Sequence, residues 1–293
     1  MVEDPTLTRP NPGFTGKAGI SDAVREGAIA LARDAAAAIL RIYDSEFAVQ
    51  RKADNSPLTA ADLAAHHCIV AGLARLTPDI PVLSEESAHE VGAAQRRQWA
   101  RLWIVDPLDG TREFVKRNGE FTVNIALVED GVAVFGVVQA PVTGEVWYGG
   151  AGLGTFRRDG DDDVALRERI PAVPPLRVAA SRSHRDPRSD TFIARMARSG
   201  VQVELLGIGS SLKFCKLAEG GMDVYPRFGP TSEWDTAAGQ CVLEGAGGLV
   251  LDRAGRPLRY NQRDSVLNGD FIALGDAGLP WREWVSGRAE QMP

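Results

Sequence analysis

Four carboxylates stand where strands are expected to end. Glu85 follows Ile80-Pro81-Val82-Leu83, Asp106 and Asp109 flank Pro107-Leu108 behind Arg101-Leu102-Trp103-Ile104-Val105, and Asp235 opens a helical pattern far along the chain. Pro107 biases Asp106 away from helical backbone and Gly110 permits an unusual turn, so both aspartates and the Leu108 carbonyl can converge on one point. Clustered carboxylates stay ionised together only with a cation between them. Hard oxygen donors with one backbone carbonyl suit Mg²⁺, the other positions going to water and a substrate phosphate. Two such ions ~3.5–4 Å apart serve in-line attack on a phosphate ester. The following residues, Thr111 to Val115, read as a helix start, whose free amides and positive dipole end suit a phosphate. Singly, these residues read as a polar turn and a helix cap. Together with the helix start they favour a metal-assisted site.

Three further positions admit two readings each. Thr59-Ala60-Ala61-Asp62 has the spacing of a capping box, with Asp62 either closing that box or serving as a base that shares a water with the Thr111 hydroxyl. Lys213 and Arg227 are either solvated surface charges or holders of a second anionic group. Other chemistries lack their motifs. Gly149-Gly150-Ala151-Gly152-Leu153-Gly154 fits neither a dinucleotide fingerprint nor a P-loop. His66, His67, His89 and His184 have no metal-ligand spacing, and no G-x-S-x-G elbow is present.

The elements that must carry these residues follow from periodicity. Val24, Ala28, Leu31, Ala35, Ile39 and Ile42 recur at helical steps behind a Ser21-Asp22 start, and a second helix spans Ala60 to about Leu76, ending before Pro78. Residues 121–128 and 132–139 flank Glu129-Asp130-Gly131 as a hairpin, with further strands at 145–148 and 154–158. The charged, Pro-rich stretch 159–175 reads as a joint between halves. Beyond it, strands at 176–180, 201–206, 222–226 and 248–252 alternate with helices at about 187–199, 210–219 and 235–245, a β/α pattern. The expected organisation is a tail (1–19), an α+β half with an antiparallel sheet (20–160), an α/β half (176–280) and a second tail (281–293).

In a chain of 293 residues, 33 Lys+Arg against 39 Asp+Glu give a net charge of −6, which disfavours a polynucleotide or an anionic membrane surface as partner. The three cysteines, Cys68, Cys215 and Cys241, form no disulfide or zinc pattern and lie in apolar stretches. No signal peptide or membrane-spanning run is read, so the expected location is the cytoplasm.

Four stretches carry a resemblance: Lys52 to Asp62 (KADNSPLTAAD), Val82 to Glu86 (VLSEE), Trp103 to Phe114 (WIVDPLDGTREF) and Trp234 to Gly239 (WDTAAG). In order and spacing, from about residue 22 to 275, the chain resembles the inositol monophosphatase superfamily of Mg²⁺-dependent, lithium-sensitive phosphatases. Lys116 to Leu127, Ser181 to His184, Gly209 to Cys215 and Tyr225 to Thr231 look like its CysQ-type 3′(2′),5′-bisphosphate nucleotidase branch. The resemblance implies a layered α+β or α/β sandwich of two sub-domains sharing one active-site cleft. It implies two or three Mg²⁺ ions held by Glu85, Asp106, Asp109, Asp235 and the Leu108 carbonyl, with Asp62 and Thr111 activating water. It places the scissile phosphate on Gly110 and Thr111, and the rest of the nucleotide on Ser210, Lys213, Arg227 and His184. Asp62 and Lys213 thereby move from structural to functional readings. The implied reaction takes adenosine 3′,5′-bisphosphate to AMP and phosphate, with its sulfated relative as a second candidate substrate, in a monomer or homodimer. Two rivals remain: a phosphatase for inositol phosphate or fructose bisphosphate on the same fold, and a non-catalytic nucleotide and Mg²⁺ sensor.

Overall fold

A computed structural model describes residues 20–44, 49–51, 57–166, 171–179 and 186–286. Helix α1 (Asp22–Tyr43) starts at Ser21, whose hydroxyl accepts the Val24 N–H at 3.3 Å. A short antiparallel pair, β1 (Val49–Arg51) and β2 (Pro57–Thr59), leads into α2 (Ala60–Leu76). The two helices approach closely along small residues. A Cβ added at Gly72 would lie 2.0 Å from a Leu31 methyl, so a larger residue there would force the Leu31 side chain to move.

The first sheet has seven strands in chain order: β3 (Val82–Ser84), β4 (Arg101–Asp109), β5 (Thr122–Glu129), β6 (Val132–Gln139), β7 (Val146–Gly150), β8 (Gly154–Asp159) and β9 (Asp162–Ala165). β3 runs parallel to β4 and every later pairing is antiparallel. Short α3 (Ala93–Arg96) lies between β3 and β4, and α4 (Thr111–Val115) follows β4. The β5–β6 turn places both Asp130 (φ 48°) and Gly131 (φ 79°) in the left-handed region, the geometry that matches strand twist in a two-residue hairpin. β9 occupies part of the stretch expected as a joint. All four of its residues are exposed at the sheet edge, so no buried face imposed an alternating pattern on Asp162-Asp163-Val164-Ala165.

The second sheet has the order β11-β10-β12-β14-β13, formed by β10 (Leu176–Ala179), β11 (Val203–Leu206), β12 (Val224–Arg227), β13 (Leu249–Asp252) and β14 (Phe271–Leu274). β10 is parallel to β11 and β12, and β14 is antiparallel to β12 and β13. Its helices are α5 (Pro187–Arg198), α6 (Leu212–Ala218), α7 (Ala237–Gly245) and α8 (Trp281–Ser286). The helix expected at 235–245 divides into a 3-10 turn, Glu233–Asp235, and α7. Residues 281–286, expected as tail, are helical with Trp281 and Trp284 buried; six residues are too few to display a helical period in sequence.

Three apolar clusters define five layers. α1 and α2 cover one face of the first sheet through Trp103, Val105, Ile125 and Phe135. α6 and α7 lie between the sheets, packed by Phe214, Ala238 and Val242 against Leu102, Ile104 and Trp147 on one side and Phe271 and Ala273 on the other. α5 and α8 close the far face over Val178, Ile272 and Leu274. The fold is therefore an α+β layered sandwich. A helix from the second half is its inner layer, so one apolar cluster runs through both halves. No helix among the described residues is long and apolar enough to cross a membrane.

Candidate active site

The site begins with a register fault. Asp106 pairs with Asn124 and Asp109 with Thr122, so three steps along β4 match two along β5. In a regular strand residues three apart point to opposite faces. The extra residue cancels that inversion and lets both carboxylates face the same side. Strand β4 accordingly runs on to Asp109, where the sequence pattern ends it near Asp106. Asp106 is buried and accepts the Leu108 N–H at 3.1 Å, which pins the bulge. Gly110 turns the chain at φ 93°, and a Cβ there would lie 3.2 Å from the Glu120 carbonyl oxygen. α4 starts immediately afterwards, with the Thr111 hydroxyl 3.5 Å from the Leu108 carbonyl oxygen.

Asp235 reaches the same point from the other half of the chain. Its carboxylate accepts the Ser232 N–H at 2.8 Å while the Ser232 side chain accepts the Asp235 N–H, a reciprocal cap. Cap and cluster are thus the same residue. Carboxylate oxygens of Asp106, Asp109 and Asp235 all lie within 4.8 Å of one another. Glu85 leaves β3 one residue beyond Ser84, which pairs with Val105, so the parallel register sets Glu85 level with Asp106. Asp62 is fully buried on the first turn of α2.

Two residues that sequence reasoning passed over join the halves. Ser211 Oγ lies 2.6 Å from Asp109 Oδ2 and 2.8 Å from the Asp235 carbonyl oxygen, and it accepts Asn124 Nδ2–H at 2.9 Å. The available signal was Asn124 itself, an amide within the mostly apolar, buried strand β5. Beyond this tie, a cleft of about 850 Å³ is lined by Asp109, Gly110, Ser210, Lys213, Arg227 and Asp235 together with Lys116, Tyr225 and Phe228. Ser210 adopts a left-handed φ of 44° and accepts Lys213 Nζ at its carbonyl, 2.9 Å away. Lys213 Nζ stands 5.2 Å from the Tyr225 ring centroid, and Arg227 donates to the Pro230 carbonyl at 3.0 Å. His184, expected at the nucleotide, lies outside the described residues.

The profile of the Inositol monophosphatase family matches residues 21–277. The chain belongs to that family. It is 49% identical over 248 residues to the 3′(2′),5′-bisphosphate nucleotidase CysQ of Salmonella typhimurium, covering 82% of this chain and 95% of that protein. Identity to the nucleotidase of the same name from Escherichia coli (strain K12) is 49% over 246 residues, with the same two coverages. In three dimensions the crystal structure of CysQ from Bacteroides thetaiotaomicron aligns with a TM-score of 0.73 at 45% identity, covering 85% of this chain and 96% of that one. An inositol monophosphatase from Zymomonas mobilis aligns at 0.72 with 30% identity, covering 92% and 100%. The protein is therefore an enzyme of a phosphatase family.

The family is Mg²⁺-dependent, and the residues here fit that cation. Asp106 has its carboxyl pushed well above the usual range, first by burial and then by the charges of Glu85, Asp109, Asp235 and Asp62. Asp235 is pushed up to about 7 by burial and the Asp109 charge, partly offset by the Ser232 N–H, with Glu85 adding repulsion. These are oxygen donors held together against their own repulsion, the donor set a hard divalent cation satisfies. In the same cleft, burial lowers Lys213 to about 8; Asp109 opposes that shift and Arg227 adds to it.

Proposed function

We propose that the protein hydrolyses the 3′-phosphate of adenosine 3′,5′-bisphosphate, giving AMP and inorganic phosphate, with the sulfated relative as a second substrate. The observation that carries this reading is one cleft lined by both clustered carboxylates and two cations. Asp109 and Asp235, grouped with Asp106, line the same cleft as the cations Lys213 and Arg227. A monophosphorylated polyol has one group for the acidic cluster and nothing anionic for Lys213 and Arg227. A nucleoside bisphosphate fills both.

Glu85, Asp106, Asp109, Asp235 and the Leu108 carbonyl would hold Mg²⁺. When bound, the metal neutralises these carboxylates and polarises the scissile phosphate and its attacking water. The chain's own residues do the rest. Gly110 and Thr111 present backbone N–H groups to phosphate oxygens at the start of α4. Asp62, through the Thr111 hydroxyl, orients the water and takes its proton as its oxygen bonds to phosphorus. The bond from phosphorus to the 3′-oxygen breaks, and that oxygen takes a proton from solvent water to leave as the ribose hydroxyl, while Asp62 returns its proton to solvent. Lys213 and Arg227 hold the 5′-phosphate, with Ser210 beside the nucleoside, and fix the in-line approach. Inhibition by Li⁺ and a cytoplasmic setting follow from the same reading, the latter supported by the free thiols of Cys68, Cys215 and Cys241.

A phosphate-release panel tests this. Adenosine 3′,5′-bisphosphate, inositol 1-phosphate and fructose 1,6-bisphosphate are compared with and without Mg²⁺ and Li⁺. The expected order puts the nucleotide first, with turnover lost on chelation. Preference for inositol 1-phosphate would transfer the protein to the other branch of its family.

A further inference from the structure

Outside the residues that line the cleft lies a buried polar network that the catalytic reading leaves unused. Arg96, the last residue of α3, is 2% exposed although its neighbours in that helix are half-buried or exposed. Its guanidinium donates to Asn261 Oδ1 at 3.0 Å, to the Arg263 carbonyl at 2.8 Å and to the Asp264 carbonyl at 2.5 Å. Asn261 answers with Nδ2–H to the Arg96 carbonyl at 2.6 Å, and its own backbone N–H donates to Glu233 Oε2 at 2.8 Å. Holding these bonds puts Asn261 at a left-handed φ of 55°. Glu233 is 0% exposed, with its other oxygen 3.6 Å from the Arg263 guanidinium.

The network's place in the chain gives it meaning. Arg96 lies five residues before β4, the strand that delivers Asp106 and Asp109. Glu233 begins the 3-10 turn that delivers Asp235. Between them Asn261 bonds both, so the network ties the entrance of one ligand-bearing element to the start of the other. A buried carboxylate and guanidinium cost solvation that apolar residues of similar size would not, so they are poor devices for stability alone. They are good devices for fixing one geometry. Three carboxylates that repel one another push their elements apart, and an apolar contact between those elements can slide where directional hydrogen bonds cannot.

We infer that Glu233 is a positioning residue. Through Asn261 and Arg96 it fixes the Ser232–Asp235 turn so that the Asp235 carboxylate stays opposed to Asp106 and Asp109, which sets the affinity for Mg²⁺. The inference rests on the metal role proposed above, and its test separates the two. Mg²⁺ binding is measured by calorimetry on substrate-free protein, alongside turnover as a function of Mg²⁺ concentration. Asn261→Ala and Glu233→Ala are expected to weaken Mg²⁺ binding about 10- to 100-fold, the range for groups supporting metal ligands. The KM for substrate at saturating Mg²⁺ stays within about twofold, and Glu233→Gln, which keeps an acceptor for the Asn261 N–H, recovers most of the loss. Ile272→Ala, cut from the outer apolar layer, is the control for lost stability and is expected to leave Mg²⁺ affinity unchanged. If the alanine variants do not fold, Arg96→Lys and Glu233→Gln are compared in their place, with Arg96→Lys the weaker binder. Unchanged affinity in Asn261→Ala, a loss matched by Ile272→Ala, or, in the fallback comparison, equal affinities for Arg96→Lys and Glu233→Gln overturns the inference. A wild-type protein that binds no Mg²⁺ overturns the active-site reading instead.

Discussion

Replacing Asp235 by Asn should make the metal-free protein more stable while abolishing its activity. Asp235 titrates at about 7 in the fold against 3.8 as an ordinary carboxyl, because burial and the Asp109 charge oppose its ionisation. A carboxyl of raised folded pKa binds its proton more tightly folded than unfolded. The folded state therefore loses ground as pH climbs from about 4 to about 7, and the deficit is constant above that. At 1.36 kcal/mol per unit, the rise corresponds to a ceiling of about 4 kcal/mol. One edge of the side chain still meets the cleft, so water screens part of this and the expected gain is about 2–3 kcal/mol, roughly 3–5 °C in melting temperature. Asn keeps an acceptor for the Ser232 N–H, so the cap is not the variable. The assay is thermal melting in EDTA at pH 5, 6, 7 and 8, repeated with Mg²⁺. The variant's advantage should be smallest at pH 5 and largest at pH 8. Mg²⁺ should raise the wild-type melting temperature and leave the variant's nearly unmoved. A variant less stable than wild type at pH 8, or one stabilised by Mg²⁺ to the same degree, refutes the reasoning.

Three other outcomes follow from the geometry. Lys213→Met or Arg227→Gln should raise the KM for adenosine 3′,5′-bisphosphate tenfold or more while leaving inositol 1-phosphate hydrolysis within about threefold, since one lost charge-assisted hydrogen bond costs about 1.5–3 kcal/mol; equal losses on both substrates would remove the second phosphate from these two cations. With Lys213 near 8, its charge disappears as pH rises, so KM for the nucleotide should climb above pH 8, by up to about tenfold per unit, and Lys213→Arg should flatten that climb. Ser211→Ala should lower kcat about 10- to 100-fold with a loss of stability of about 1–3 kcal/mol, because Asp109, Asn124 and the Asp235 carbonyl all lose one partner; kcat at the wild-type value in steady-state assays would reduce Ser211 to packing.

Much of this was legible in the sequence, and what was not has physical causes. α1 and α2 could be read because each buries a stripe long enough to show its period, and the β5–β6 hairpin because Asp130-Gly131 names its turn type. β14 was missed because Phe271-Ile272-Ala273-Leu274 is buried on both faces, so its four apolar residues show no alternation. The carboxylates were visible as residue types at strand ends, but the bulge that aligns Asp106 with Asp109 was not. One extra residue in a ladder has no signature until the partner strand is known. Ser211 and Glu233 were invisible for the same reason, because their partners lie 102 and 28 residues away and nothing local marks them.

The site's position in the layers explains its chemistry more fully than its motif does. A stack of three or more carboxylates is unstable wherever it is built, so each must come from an element that cannot yield. Asp106 and Asp109 lie on β4, paired on one side with β3 and on the other with β5. Asp235 ends the 3-10 turn that leads into α7, and α7 is wedged between the two sheets so tightly that a Cβ at Gly136 would lie 2.6 Å from the Ala238 carbonyl oxygen. Moving Asp235 away from its partners would require moving the inner layer of the molecule. The repulsion is therefore balanced by packing rather than relieved by motion, and a cation entering the cluster meets donors already in place. The whole-chain charge of −6 says nothing of this. On the proposed reading each Mg²⁺ would bring two positive charges to that cluster and offset two of its carboxylates, so the charge of the working site is not that of the protein around it.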